Sequence, residues 1–129
     1  MPGMRISIVL LAALAGSCAA PPPPGGYAPR QVAELAGRAA GPAEHCVNIT
    51  PIDTIRVSES DPSTLVYGNG RTIWANDLGS CRFRSSDILI TEPRGSRYCR
   101  GDIVRSMDQV SHIPGPACVL GDFVPYSRP

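Results

Sequence analysis

Four cysteines lying downstream of an export leader, Cys46, Cys81, Cys99 and Cys118, constrain what this chain can fold into more than any other feature. The leader sets their compartment. Arg5 precedes the apolar run Ile6–Gly16, which closes on small residues just before Cys18; a charged start, a short apolar stretch and a small-residue cut site mark a secretory signal. The run falls short of the roughly 20 residues a membrane-spanning helix requires, so it reads as a segment to be removed rather than an anchor. In an oxidising compartment thiols pair, and five cysteines would leave one over. Lipidating or discarding Cys18 restores an even set.

Two ends for the leader satisfy that parity. Leu14-Ala15-Gly16-Ser17-Cys18 resembles a bacterial lipobox, in which the cysteine sulfur is acylated and the cysteine becomes the new N-terminus, although Ala15 stands where a branched aliphatic is commonest. A signal-peptidase cut after Ala19 or Ala20 also has small residues at the required spacing. The following stretch, Ala19-Ala20-Pro21-Pro22-Pro23-Pro24-Gly25-Gly26, reads as an extended polyproline spacer ending in a flexible joint. A tether has a use on an anchored protein, which favours lipidation. The expected organisation is a signal peptide over 1–17 and a lipidation site at Cys18 with a proline-rich tether over 18–28. The lipid would hold the protein to the outer membrane, facing the periplasm; the other cut gives a soluble periplasmic or secreted protein.

Removing residues 1–17 takes one of the 12 arginines and none of the 11 acidic residues, leaving formally balanced side chains. Such a chain is not expected to bind nucleic acid. Residues 29–41 predict a short helix. Val32, Leu35, Ala36 and Ala39 fall at helical spacing, Pro29 suits a first turn, and Gly41-Pro42 would stop it.

From 45 to 129 the pattern changes to short β-branched and aromatic runs broken by Asp, Asn, Gly, Ser and Pro, which predicts a small, mainly β domain. Candidate strands span 52–58, 64–68, 71–76, 81–91, 97–106 and 118–126. Asn69-Gly70 predicts a two-residue type I′ turn, pairing Leu65 with Trp74 and Tyr67 with Thr72 on one face and Val66 with Ile73 on the other. Both faces are apolar and need cover, which points to a small disulfide-stapled β-barrel or barrel-like antiparallel sheet. In 81–91, Arg82 and Arg84 share parity with Ile88 and Ile90, a conflict that a bulge at Ser85-Ser86 would relieve. A domain this small buries little surface, and two disulfides would add roughly 2–4 kcal/mol each. Four cysteines allow three connectivities.

The chemistry-bearing motifs are sparse. No cysteine pair has chelate spacing, so no metal is expected, and no cofactor motif is present. His45 beside Cys46, and His112 in a loop-like segment, lack the free thiol that a cysteine–histidine mechanism requires. No Gly-x-Ser-x-Gly elbow occurs. Arg100-Gly101-Asp102 reads as a turn leading into a strand, and Pro51 disfavours the sequon Asn48-Ile49-Thr50. Between 81 and 105, Arg82, Arg84, Arg94, Arg97, Arg100 and Arg105 outnumber Asp87, Glu92 and Asp102. Such guanidinium groups suit phosphate or carboxylate, and Arg82, Arg84 and Arg97 are the candidate contacts for an anionic ligand.

The spacing of Cys46, Ile49 and Ile52-Asp53, a glycine-turn hairpin closing on Trp74-Ala75-Asn76-Asp77-Leu78 before Cys81, Tyr98-Cys99-Arg100-Gly101-Asp102, and Cys118 through Tyr126 is similar to a family of small exported proteobacterial proteins known only as a domain of unknown function. That resemblance implies Cys81–Cys118 and Cys46–Cys99 bonds and brings no catalytic or ligand residues. The expected function is a non-enzymatic binding or structural module of the cell envelope, its partner an anionic envelope component or an envelope protein. The alternatives are a small exported enzyme, or an inhibitor of a periplasmic hydrolase presenting a loop such as 92–97.

Overall fold

The computed structural model describes residues 32–48, 50, 52 and 54–129, so the leader, Cys18, the tether and the first residues of the expected helix lie outside the described residues. Among the described residues ten short strands follow a single 3-10 turn, Ala33–Leu35. They are β1 (Ala39–Ala40), β2 (Cys46–Asn48), β3 (Ile55–Val57), β4 (Thr64–Tyr67), β5 (Thr72–Asp77), β6 (Ile88–Thr91), β7 (Arg97–Cys99), β8 (Ile103–Met107), β9 (Pro114–Val119) and β10 (Phe123–Ser127). All pairings are antiparallel. They form a five-stranded sheet β1-β10-β5-β4-β3, a pair β2-β7 and a three-stranded sheet β6-β8-β9.

The mainly β, disulfide-stapled architecture stands, and the barrel does not. The strands close no ring: the large sheet ends at β1 and β3, and the three-stranded sheet ends at β6 and β9. The two-faced hairpin is covered by different means on its two sides. Leu65, Tyr67 and Phe123 join Val57, Tyr98, Val104, Cys118 and Leu120 in the larger core. Val66, Ile73, Ala75 and Tyr126 are covered by Val32 and Leu35 from the N-terminal arm. That arm replaces the expected helix. Gly37 takes a left-handed φ of 71°, which ends the turn, and the chain goes on to pair Ala39–Ala40 with β10.

The hairpin register differs from the type I′ expectation by two residues, with Leu65 opposite Asn76, Val66 opposite Ala75 and Tyr67 opposite Trp74. The face assignments survive because a two-residue shift preserves parity. The cause is a wider loop. Gly68, not Asn69, has the left-handed φ, at 82°. The loop carbonyls are taken by guanidinium groups: Arg56 donates to Gly68 O at 2.9 Å, and Arg38 donates to Arg71 O at 2.6 Å and to Gly70 O at 3.1 Å.

The expected strand 81–91 is reduced to β6. Its first half is a loop, in which Asp87 N donates to Arg84 O at 3.0 Å and Arg84 N to Asp87 Oδ2 at 3.0 Å. The parity conflict is therefore relieved by a turn rather than a bulge. The expected strand 97–106 is split at Gly101 (φ 89°), where Asp102 N returns to Cys99 O, so the Arg-Gly-Asp segment is indeed a turn leading into β8. The last expected strand, 118–126, is broken at residues 120–122 into the end of β9 and most of β10, which lie in different sheets; β9 itself starts earlier, at Pro114. Its two prolines are tolerated because β9 is an edge strand. A bulge does occur there: the register shifts between Arg105 and Met107, and Gly115 packs so closely on Ser106 that a Cβ would collide with Ser106 Oγ.

The disulfides join Cys46 to Cys99, directly opposite one another in the β2-β7 pair, and Cys81 to Cys118. This is the pairing implied by the resemblance. The second bond ties the segment after β5 to β9, linking the large sheet to the three-stranded one.

Candidate functional site

The cleft of interest lies between the loop that follows Cys81 and the β8-β9 hairpin, and has a volume of about 360 Å³. Arg82, Arg84 and Asp87 line one wall; Asp108, Ser111 and Ile113–Pro116 line the other. The first wall is held from beneath. Phe83, only 2% exposed, plugs the larger core and donates its N–H to Pro62 O, while its neighbours Arg82 and Arg84 point to solvent. Alternation around a buried aromatic thus places both guanidinium groups outward. The Cys81–Cys118 bond fixes the base of this loop to β9.

The opposite wall is a self-bonded turn. Asp108 Oδ1 accepts from Val110 N at 2.9 Å, Ser111 N at 2.8 Å and Ser111 Oγ at 2.9 Å. Those Ser111 and Val110 donors, with the Arg84 charge, hold the Asp108 carboxyl below the usual carboxylate range. His112 adopts a left-handed φ of 56° and donates its N–H back to Asp108 O, and Asp108 N donates to Ile113 O. The carboxylates of the cleft are therefore committed to its walls. Asp87 closes the first loop, and Asp108 builds the second, with Oδ2 3.9 Å from Arg84 Nη1. Between groups as exposed as these the ion pair contributes little to stability. Among the described residues Arg82 has no ion-pair or hydrogen-bond partner for its guanidinium, which leaves one cation uncommitted and a second, Arg84, loosely held.

Two of the three arginines selected from the sequence thus share the cleft, and the third does not. Arg97 stands on β7, opposite Asn48. The remaining arginines of the segment are dispersed: Arg94 pairs with the buried Asp102 at 3.2 Å, Arg100 with Asp122 at 3.2 Å, and Arg105 lies on the outer face of the three-stranded sheet. There is no single arginine face. With Asp102 buried and bonded to Cys99 N and Arg94, the Arg-Gly-Asp tripeptide has no acidic group to present. His45 Nδ1 lies 2.9 Å from Asp122 Oδ1 on an exposed surface. All four described cysteines are disulfide-bonded, so neither histidine has a thiol to activate. Among the described residues no three His, Cys, Asp or Glu side chains cluster to hold a metal ion.

The wall formed by Asp108, Ser111 and Ile113–Pro116 was missed by sequence reasoning. Asp108 followed by Ser111 is the visible signal for a self-bonded turn. What the sequence does not display is that this turn faces Arg82. No family model, no curated protein and no solved structure matches the chain.

Proposed function

We propose that this protein is a non-enzymatic binding module of the bacterial cell envelope, and that the cleft between residues 82–87 and 108–116 receives the anionic group of its ligand. The observation that carries this reading is the pairing of an uncommitted guanidinium, Arg82, with a loosely held one, Arg84, in one cleft. A guanidinium presents a planar fork of donors suited to phosphate or carboxylate, and two on one wall suit a group with several acceptor oxygens. The alignment of both side chains depends on buried Phe83 and on a disulfide, so the site is preformed. The two disulfides suit an extracytoplasmic location, and no helix among the described residues is long and apolar enough to cross a membrane. Attachment is assigned to a lipid on Cys18.

Two experiments test the reading. Titrating the protein with inorganic phosphate while following side-chain Nε–H resonances should shift Arg82 and Arg84 and leave Arg97 in place; no shift at Arg82 at tens of millimolar phosphate would refute the site. Metabolic labelling with a fatty-acid probe should mark the protein and be lost in Cys18→Ser. Labelling that persists in that variant would remove the anchor.

A further inference from the structure

Among the described residues the large apolar side chains left substantially exposed are Ile88, Ile90, Ile103, Val110, Ile113 and Val119. All six belong to the β6-β8-β9 sheet or to the turn between β8 and β9. Isolated exposed aliphatics are ordinary, but their confinement to one sheet is not. The two most exposed, Val110 at 90% and Ile113 at 65%, sit in the β8-β9 turn, where polar residues are the usual choice. That turn is not a slack loop. Three hydrogen bonds to Asp108 Oδ1 and two backbone bonds across it hold Val110 and Ile113 outward. Ile113 also lines the cleft that contains Arg82 and Arg84.

We propose that this turn and its flanking arginines dock on an anionic phospholipid surface, with Val110 and Ile113 entering the headgroup–acyl boundary while Arg82 and Arg84 engage phosphate oxygens. The inference rests on the reading of the cleft as an anion site and adds the kind of surface that supplies the anion. Charge complementarity chooses the occupant. A purely apolar partner would leave Arg82 without a counter-ion, and a free anion would leave Val110 and Ile113 in water; an anionic bilayer meets both needs at once. The contact is distinct from acylation of Cys18, because it orients the folded domain rather than tethering it.

The test uses the full chain carrying Cys18→Ser, so that no acyl chain contributes, and cosedimentation with vesicles of phosphatidylglycerol and phosphatidylcholine in equal parts or of phosphatidylcholine alone. The parent should sediment with the anionic vesicles, weakly or not at all with the neutral ones, and progressively less as salt is raised, since the Debye length shrinks from about 10 Å at 0.1 M to about 3 Å at 1 M. Val110→Ser with Ile113→Ser should lower partitioning on the order of tenfold, and Val110→Ser alone, which spares the cleft lining, should lower it by about threefold while leaving the phosphate-induced shifts at Arg82 intact. Arg82→Ser with Arg84→Ser should lower partitioning by about fivefold per arginine and abolish the phosphate shifts. Melting curves confirm that these variants fold, as neither pair is part of a core.

Unchanged sedimentation of the Val110/Ile113 variant, or equal sedimentation of the parent with neutral vesicles, would overturn the lipid proposal. Phosphate shifts without any vesicle binding would overturn it while leaving the anion site standing. Loss of both would end both readings. Concentration-dependent dimers that vanish in the Val110/Ile113 variant, without vesicle binding, would reassign the turn to a contact between copies of the chain and likewise overturn the proposal.

Discussion

Between Thr64 and Tyr67 every side chain of β4 is buried, whereas along β6 the exposed Ile88 and Ile90 alternate with half-buried Leu89 and Thr91. Both strands are apolar on both parities. The hairpin β4-β5 lies in the middle of its sheet, and Val32 and Leu35 cover the side that the larger core does not reach. The sheet β6-β8-β9 turns Leu89, Val104 and Cys118 to the core and receives no second cover among the described residues. Ile88, Ile90, Ile103 and Val119 consequently share an outward face, with Arg105 between Ile90 and Ala117 in register. The difference teaches that apolar patterning does not by itself identify core. An aliphatic residue stabilises this fold where another segment arrives to cover it, and elsewhere remains available to a partner.

The largest expected effect lies at the link between the two regions. Replacing Cys81 and Cys118 together by serine opens a loop with a sequence separation of 37 and should cost roughly 3–4 kcal/mol by the chain-entropy estimate. Equilibrium denaturation checks it. If the three-stranded sheet depends on the large one for its anchorage, hydrogen exchange in β8 and β9 should rise more than in β4. Equal acceleration throughout would erase the distinction between the regions.

Next comes the cover over the hairpin. Leu35→Ala removes a buried side chain from the smaller core and should destabilise by about 2–3 kcal/mol, with the midpoint moving and the denaturant slope unchanged. A loss below about 0.5 kcal/mol would show that the arm is a passive attachment.

A third prediction concerns alkaline pH. Tyr67 is wholly buried, and burial, with Tyr98 and Asp102 adding to it, pushes its phenol far above the ordinary tyrosine range; burial moves Tyr126 in the same direction. The unfolded tyrosine ionises near pH 10 while the folded Tyr67 keeps its proton. The contribution of these tyrosines to stability is thus constant below that pH and falls above it, by about 1.4 kcal/mol per pH unit for each. Tyr67→Phe should flatten that slope. At neutral pH the same substitution should be neutral or stabilising by up to about 1 kcal/mol, because Tyr67 Oη is buried without a hydrogen-bond partner among the described residues. A loss exceeding about 1 kcal/mol at pH 7 would contradict this.

Legibility from the sequence was uneven, for physical reasons that particular residues make plain. The two-faced hairpin is readable because alternation survives any even shift of register, and the Gly101-Asp102 turn because a Gly-Asp pair between two β-branched or aromatic runs is a turn signal, which the φ of 89° at Gly101 bears out. The register itself was not readable. It depends on Arg38 and Arg56, whose guanidinium groups reach loop carbonyls up to 33 residues away. The need for cover over both faces points to a barrel, but nothing local reveals that Val32 and Leu35 supply that cover. The N-terminal half of β9 was hidden by Pro114 and Pro116, which mark an interruption in a central strand and are harmless on an edge. Of the cleft, only the arginine wall was legible.

Covered and uncovered apolar residues of this fold differ in role, and unfolding free energies measured side by side for Leu35→Ala and for the double variant Ile88→Ser with Ile103→Ser put that difference to the test. The expected loss is about 2–3 kcal/mol in the first and no more than about 0.5 kcal/mol per site in the second, since Ile88 and Ile103 are 40% and 48% exposed. A loss in the double variant as large as that of Leu35→Ala would mean that the outward face is structural after all and that cover does not separate the two roles.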